Sequence, residues 1–175
     1  MQRLEAGARH RVRFTLNGRA VEGDAEPRML ASDFLRHVLG MTGTHVGCEH
    51  GVCGACTIRI DGKASRSCLM FALQLEGCSV DTVEGLDSGT DELTEMQAAF
   101  RRRHALQCGY CTPGILMSLD QLLDEEPDAD EARIREVLSG HICRCTGYQG
   151  MIEAALEVFA ARRDPPSSNE IQEKS

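Results

Sequence analysis

The residues of this chain best suited to chemistry are its cysteines, nine in 175 positions. Cys48, Cys53 and Cys56 fall in one glycine-rich stretch with the spacing C-x4-C-x2-C, and Cys68 follows twelve residues after Cys56. Four thiolates so spaced suit a [2Fe–2S] cluster, which makes one-electron transfer the first chemistry to consider. The interleaved Gly47, Gly51 and Gly54 fit that reading, because a chain wrapping a cluster must turn tightly and bring backbone N–H groups close to sulfur. A second set follows: Cys108-Gly109-Tyr110-Cys111, with Gly109 as its loop glycine, and Cys143-Arg144-Cys145. Taken alone, C-x2-C with a distant C-x-C suits zinc or a redox dithiol equally well. The ninth cysteine, Cys78, reads as a small apolar residue packed in a strand.

Composition narrows the field. A formal net charge of −8 supplies no basic field for nucleic acid or an anionic membrane surface. No apolar run approaches the roughly 18 residues of a membrane span, and Met1 to Arg13 carry charge without the apolar core of a signal peptide. The expectation is a cytoplasmic protein, where nine cysteines serve ligation or catalysis better than structural disulfides. With Trp absent and aromatics at 4%, small aliphatic cores are expected, stabilised further by bound metal.

The elements that must position these cysteines follow from hydrophobic period. Val12, Phe14 and Leu16 alternate with polar residues up to Asn17-Gly18, a hairpin signal, and a return strand runs through Ala20 and Val21. Ser32 is expected to cap a helix burying Leu35, Val38 and Leu39 and ending at Gly40. Thr57 to Ile60 with the turn Asp61-Gly62 reads as another hairpin, Leu69 to Leu75 as helix or strand, and Cys78 to Val83 as a closing strand. Thereafter the period becomes helical. One helix carries Leu93, Met96 and Phe100 behind Thr90 or Asp91 as cap. A second starts at Thr112-Pro113 and buries Ile115, Leu116, Leu119, Leu122 and Leu123. A third carries Ile134, Val137 and Leu138 and stops at Gly140, and a fourth runs from about Met151 to Ala161. The resulting α+β architecture is a β-grasp unit over residues 11–84, a linker over 85–90, a four-helix bundle over 91–163 and a disordered tail over 164–175.

Three stretches then become recognisable in order: His45 to Thr57, Gln107-Cys108-Gly109-Tyr110-Cys111-Thr112-Pro113-Gly114, and Cys143-Arg144-Cys145-Thr146-Gly147-Tyr148. From Val12 to Phe159 the chain resembles the small iron–sulfur subunit of the bacterial molybdenum hydroxylases, the xanthine dehydrogenase family. The resemblance implies a plant-type ferredoxin cluster held by Cys48, Cys53, Cys56 and Cys68. It implies a second [2Fe–2S] cluster, in the helical domain, held by Cys108, Cys111, Cys143 and Cys145. It also implies that Gln107 contacts molybdopterin, as the cytosine dinucleotide, in a large partner subunit, and that Cys145 approaches the pterin. FAD would sit on a medium subunit near the first cluster, in a dimer of heterotrimers. His141 stands where many relatives carry asparagine, and a changed local hydrogen bond is the expected consequence.

On this resemblance the chain is the non-catalytic iron–sulfur subunit of an oxidoreductase, relaying electrons from molybdenum to flavin. It holds no substrate and no general acid or base. The substrate class it points to is an N-heterocycle or aldehyde, with a carbon monoxide dehydrogenase as the alternative. An independent two-cluster ferredoxin and a zinc-stabilised interaction module are the readings from other classes. The histidines beside the first cysteine set, His45 and His50, are expected to make loop hydrogen bonds. Arg101-Arg102-Arg103-His104 is expected to form a solvated helical face, or else a contact with an acidic neighbour.

Overall fold

The computed structural model describes residue 5 and residues 7–87 and 92–163. Its first part is a five-stranded sheet of order β2-β1-β5-β3-β4. The strands are β1 (His10–Leu16), β2 (Arg19–Ala25), β3 (Thr57–Ile60), β4 (Lys63–Arg66) and β5 (Ser79–Asp81). The two hairpins form at the expected turns, with Asn17, Gly18, Asp61 and Gly62 all at positive φ. β5 closes the sheet by running parallel to β1 and antiparallel to β3. Val12, Phe14, Leu16, Ile58 and Val80 point from these strands into one core with Phe34 and Leu35.

The segment laid across that core differs from the expected helix. A short α1 (Ala31–Asp33) widens at once into a π-helical turn over Phe34–Val38. Ser32 is not its cap; it lies buried inside the turn, and Leu30 occupies the capping position without a side-chain bond. Widening the turn changes which residues share a face. The adjacent Phe34 and Leu35 are both buried while Val38 is left exposed, because Leu39 N–H bonds the carbonyl of Phe34, five residues back. The segment from Leu69 to Leu75 is neither strand nor α-helix but two 3₁₀ turns, Ser67–Leu69 and Ala72–Leu75, the first carrying Cys68.

The second part is helical: α2 (Glu95–Arg102), α3 (Thr112–Glu125), α4 (Glu131–Ser139) and α5 (Gln149–Arg163). α2 begins later than its apolar period suggests. Thr94 caps it in a reciprocal box with Gln97, leaving Leu93 outside and exposed, and the expected caps Thr90 and Asp91 lie outside the described residues. α3 starts with Pro113 in its first turn and buries Ile115, Leu116, Leu119 and Leu122, while Asp130 caps α4. These helices enclose a second core built around Phe100, Ile115, Leu119, Ile134, Met151 and Phe159. The tail over 164–175 also lies outside the described residues.

α3 packs on β3 and β4 and joins the two parts. Arg59 of β3, only 17% exposed, pairs with Asp120 and with Asp124 at 2.9 Å, and Lys63 reaches Glu125 at 2.6 Å. The Ala64 backbone N–H of β4 donates to Gln121 Oε1 at 2.6 Å. Arg101 to His104 are all exposed, as a solvated face would be, but Arg102 and Arg103 also have an acidic partner within the chain. Both bind Glu157 of α5 and tie the end of α2 to the last helix.

Candidate metal centres

The first four thiols come from a loop and a turn. Residues 47–56 form a coil with Gly51 and Gly54 at positive φ, ending as β3 begins, and Cys68 returns beneath it from the 3₁₀ turn after β4. At Gly51 a Cβ would sit 2.4 Å from Leu69 Cδ1, so that exposed side chain would have to swing aside. At Gly47 a Cβ would meet Cys53 Sγ at 3.2 Å. The turn aims backbone N–H groups at sulfur: His50 and Cys53 each donate to Cys48 Sγ at 3.4 Å. Those donors, Cys53 first and then His50, hold the Cys48 thiol down at about 6. Cys53 lies against Cys48, and its own thiol is raised, by burial before the influence of Cys48. Cys68 lies against Cys56 and is pushed up to about 11, by burial first and by Cys56 second.

The second four come from loops at one end of the helical part. Cys108 and Cys111 precede α3, with Gly109 between them at positive φ, and Cys143 and Cys145 lie between α4 and α5. Cys145 and Cys108 bring their sulfurs to 3.5 Å, far beyond a disulfide bond. Cys111 lies against Cys143 and is pushed up to about 12, by burial first and then by Cys143. At Cys143 burial also pulls upward, but hydrogen bonds from the Thr146 side chain and from backbone amides outweigh it and leave the thiol lowered. Cys53, Cys108, Cys111 and Cys143 border a common cavity of about 160 Å³ with Tyr110 and Ile142. A larger cleft of about 410 Å³ between β4 and α3 to α4 holds no thiol, and its arginines, Arg66 and Arg133, are already bonded within the chain.

These donors suit a two-iron centre. Each thiol has a near sulfur neighbour, Cys48 with Cys53, Cys56 with Cys68, Cys108 with Cys145 and Cys111 with Cys143, and the pairs sense one another, Cys48 acting on Cys68 and Cys108 on Cys111. Two thiolates per iron is what a [2Fe–2S] core takes. Buried thiol pairs resist ionising unless a cation sits between them, which such a core provides.

The two sets are tied together. The Ile142 backbone N–H donates to the Cys53 carbonyl at 2.9 Å, so the residue before Cys143 is bonded to a residue of the first set. Tyr110 stacks on His45 at 4.7 Å, its carbonyl accepts from His45 Nδ1 at 2.8 Å, and its hydroxyl donates to the Val46 carbonyl at 2.7 Å. His45 makes a side-chain loop bond as expected, whereas His50 bonds sulfur through its backbone. His141 is buried between the loops. Its Nε2 pairs with Ser118 Oγ at 2.8 Å, and its imidazole is held neutral, down at about 4, by burial and then by the Arg66 charge. Gly54 and Gly114 permit the contact: a Cβ on Gly54 would meet His141 Nδ1 at 2.4 Å, and one on Gly114 would meet the Gly54 carbonyl oxygen at 2.2 Å. Gln107, Cys108 and Cys145 are exposed. Cys78 lies just ahead of β5, packed against the sheet core.

Comparison with known proteins agrees with this arrangement. A profile described as a 2Fe-2S iron-sulfur cluster binding domain matches residues 14–77, and a [2Fe-2S] binding domain matches residues 82–156. The chain is 53% identical over 152 residues to the gamma chain of caffeine dehydrogenase from Pseudomonas sp. strain CBB1, covering 85% of this chain and 90% of that one. It is 43% identical over 150 residues to one component of a probable xanthine dehydrogenase from Bacillus subtilis strain 168, covering 86% of each. Among solved structures, quinoline 2-oxidoreductase from Pseudomonas putida 86 matches with a TM-score of 0.85 and 50% identity, over 89% of this chain and 96% of that one. Spanning relatives of this identity almost end to end, with a cluster-binding domain in each half, the chain belongs to the small [2Fe–2S] iron–sulfur subunits of the bacterial molybdenum hydroxylases, the xanthine dehydrogenase family.

Proposed function

We propose that this protein relays single electrons from a molybdopterin centre on a large partner chain to FAD on a medium one, through two centres it holds itself. Cys48, Cys53, Cys56 and Cys68 hold the first, in a β-grasp unit over 11–84. Cys108, Cys111, Cys143 and Cys145 hold the second, in a four-helix unit over 91–163, with 85–90 as the link. The bound clusters supply acceptors that change charge by one with little rearrangement. The protein fixes where they sit and what surrounds them.

The observation that carries this reading is the hydrogen bond from Ile142 N–H to the Cys53 carbonyl, 2.9 Å long, which makes the backbone between Cys53 and Cys143 nearly continuous. The His45–Tyr110 stack and the His141–Ser118 bond brace the loops that carry that link. Exposed Gln107, Cys108 and Cys145 support a pterin contact at the outer edge of the second centre, with Gln107 as an amide donor to the cofactor. Val52, Leu69 and Phe71, at 64%, 63% and 47% exposure, offer apolar surface beside the first centre where a flavin-binding partner can dock. A freely diffusing ferredoxin needs neither surface. A dimer of heterotrimers in the cytoplasm fits these interfaces and the nine unpaired thiols. Among the described residues no helix is long and apolar enough to cross a membrane.

The relatives named for caffeine and quinoline support an N-heterocycle as the substrate of the complex, above an aldehyde or carbon monoxide. Affinity purification of this chain from its native host tests the whole reading. Co-purification of a molybdopterin protein and a flavoprotein, with both clusters bleached by an N-heterocycle, is expected. A free monomer that shuttles electrons at full rate would overturn it.

A further inference from the structure

The loop from His141 to Tyr148 is built around one hydroxyl. Thr146 Oγ1 lies 3.2 Å from Cys143 Sγ and 3.8 Å from Met151 Sδ, and it accepts the Tyr148 backbone N–H at 3.1 Å. A hydroxyl has one proton to give. With the Tyr148 amide occupying a lone pair, that proton is free for sulfur, and a metal-bound thiolate outcompetes a more distant, neutral thioether. The geometry is braced. Gly147 and Tyr148 both sit at positive φ, uncommon for a tyrosine. The Tyr148 ring holds that shape, its hydroxyl accepting from Cys143 N–H at 2.7 Å and donating to the His141 carbonyl at 3.1 Å.

We propose that the Thr146 hydroxyl sets the reduction potential of the second [2Fe–2S] centre by donating a hydrogen bond to the Cys143 thiolate. The proposal rests on the assignment of Cys143 as a ligand. Reduction adds negative charge to the core and its thiolates, so a donor aimed at one of them stabilises the reduced state more than the oxidised one. The first centre takes its corresponding donors from the backbone of His50 and Cys53, beyond the reach of side-chain substitution. A change at Thr146 therefore acts on one centre and spares the other. It also acts on the side facing Cys53, because Cys143 follows Ile142 in the chain.

The test is a redox titration of both centres in the intact purified complex, followed by electron paramagnetic resonance. Thr146→Val keeps the volume and removes the donor, while Thr146→Ser keeps the donor. For Thr146→Val the reduction equilibrium of the second centre is expected to fall about tenfold, which for one electron is about 59 mV more negative. Thr146→Ser is expected to stay near the parent value, with the first centre unchanged in both. An unshifted second centre in Thr146→Val, a Ser variant as low as the Val variant, or equal shifts of both centres would overturn the proposal. If Thr146→Val loses the centre, Thr146→Ala is titrated in its place. In the parent complex exchanged into D₂O, electron–nuclear double resonance must also find an exchangeable deuteron coupled to the second centre, and its absence would refute the hydrogen bond. A parent complex without two [2Fe–2S] signals defeats the metal-centre reading instead, whereas two intact signals with no shift defeat only the role of Thr146.

Discussion

Replacing Gly114 by alanine probes the seam between the two centres most sharply. A Cβ at this position would lie 2.2 Å from the Gly54 carbonyl oxygen, 3.1 Å from its carbon and 3.2 Å from the Ala55 carbonyl oxygen. Carbon and oxygen come to rest at about 3.3 Å, so the Gly54 peptide and the first turn of α3 must separate by about 1 Å. Both neighbours are backbone, and neither can swing aside as a flexible side chain would. Gly54 follows Cys53, whose carbonyl accepts the Ile142 bond at 2.9 Å, so a shift of that size stretches the link past hydrogen-bonding range. Overpacking of this kind costs about 1–3 kcal/mol. In a chain of this size that corresponds to a fall in melting temperature of roughly 2–4 °C per kcal/mol. The assay pairs thermal unfolding of the purified complex with the magnetic interaction between the two reduced centres. The expected result is a lower melting temperature and a weakened interaction, with both clusters retained. An unchanged melting temperature together with an unchanged spin interaction would show that the seam does not position the centres.

Other outcomes follow from the same contacts. Cys111→Ser or Cys143→Ser should remove one of two paramagnetic signals and leave the other, and loss of both together would contradict two independent ligand sets. Arg59→Ala removes a largely buried cation from Asp120 and the half-exposed Asp124; a loss of about 1.5 kcal/mol is expected by denaturant titration, and a loss under about 0.5 would show the pairs to be surface decoration. Removing iron with a chelator should lower the melting temperature of the chain, since ligation energy is folding energy, and addition of iron and sulfide should restore it. Zinc restoring it equally well would argue for a mononuclear site.

Much of this was legible in the sequence because it is local. Asn17-Gly18 and Asp61-Gly62 carry their hairpins within a few residues, and Pro113 marks the start of α3 by fixing its first turn. Sorting the eight thiols into two sets took the family resemblance, because Cys68 lies on a turn apart from Cys48, Cys53 and Cys56, and Cys143 and Cys145 lie on a different loop from Cys108 and Cys111. Contacts distant in sequence were hidden. Glu157 lies more than fifty residues from Arg102 and Arg103, and no pattern within α2 announces it. The π-helical turn over Phe34–Val38 was missed because periodicity assumes the ordinary pitch, and with it went the Ser32 cap. One signal for the seam was present: a glycine inside the first turn of a helix costs about 1 kcal/mol relative to alanine. Gly114 incurs that cost because the first cysteine loop passes directly against it.

The proposed division of the eight thiolates into two iron-holding quartets fixes a stoichiometry. Iron and acid-labile sulfide counted per polypeptide in anaerobically purified complex decide it. About four irons and four sulfides per chain, with two distinct [2Fe–2S] signals on reduction, are expected. Two irons per chain, or zinc in place of iron, would contradict it.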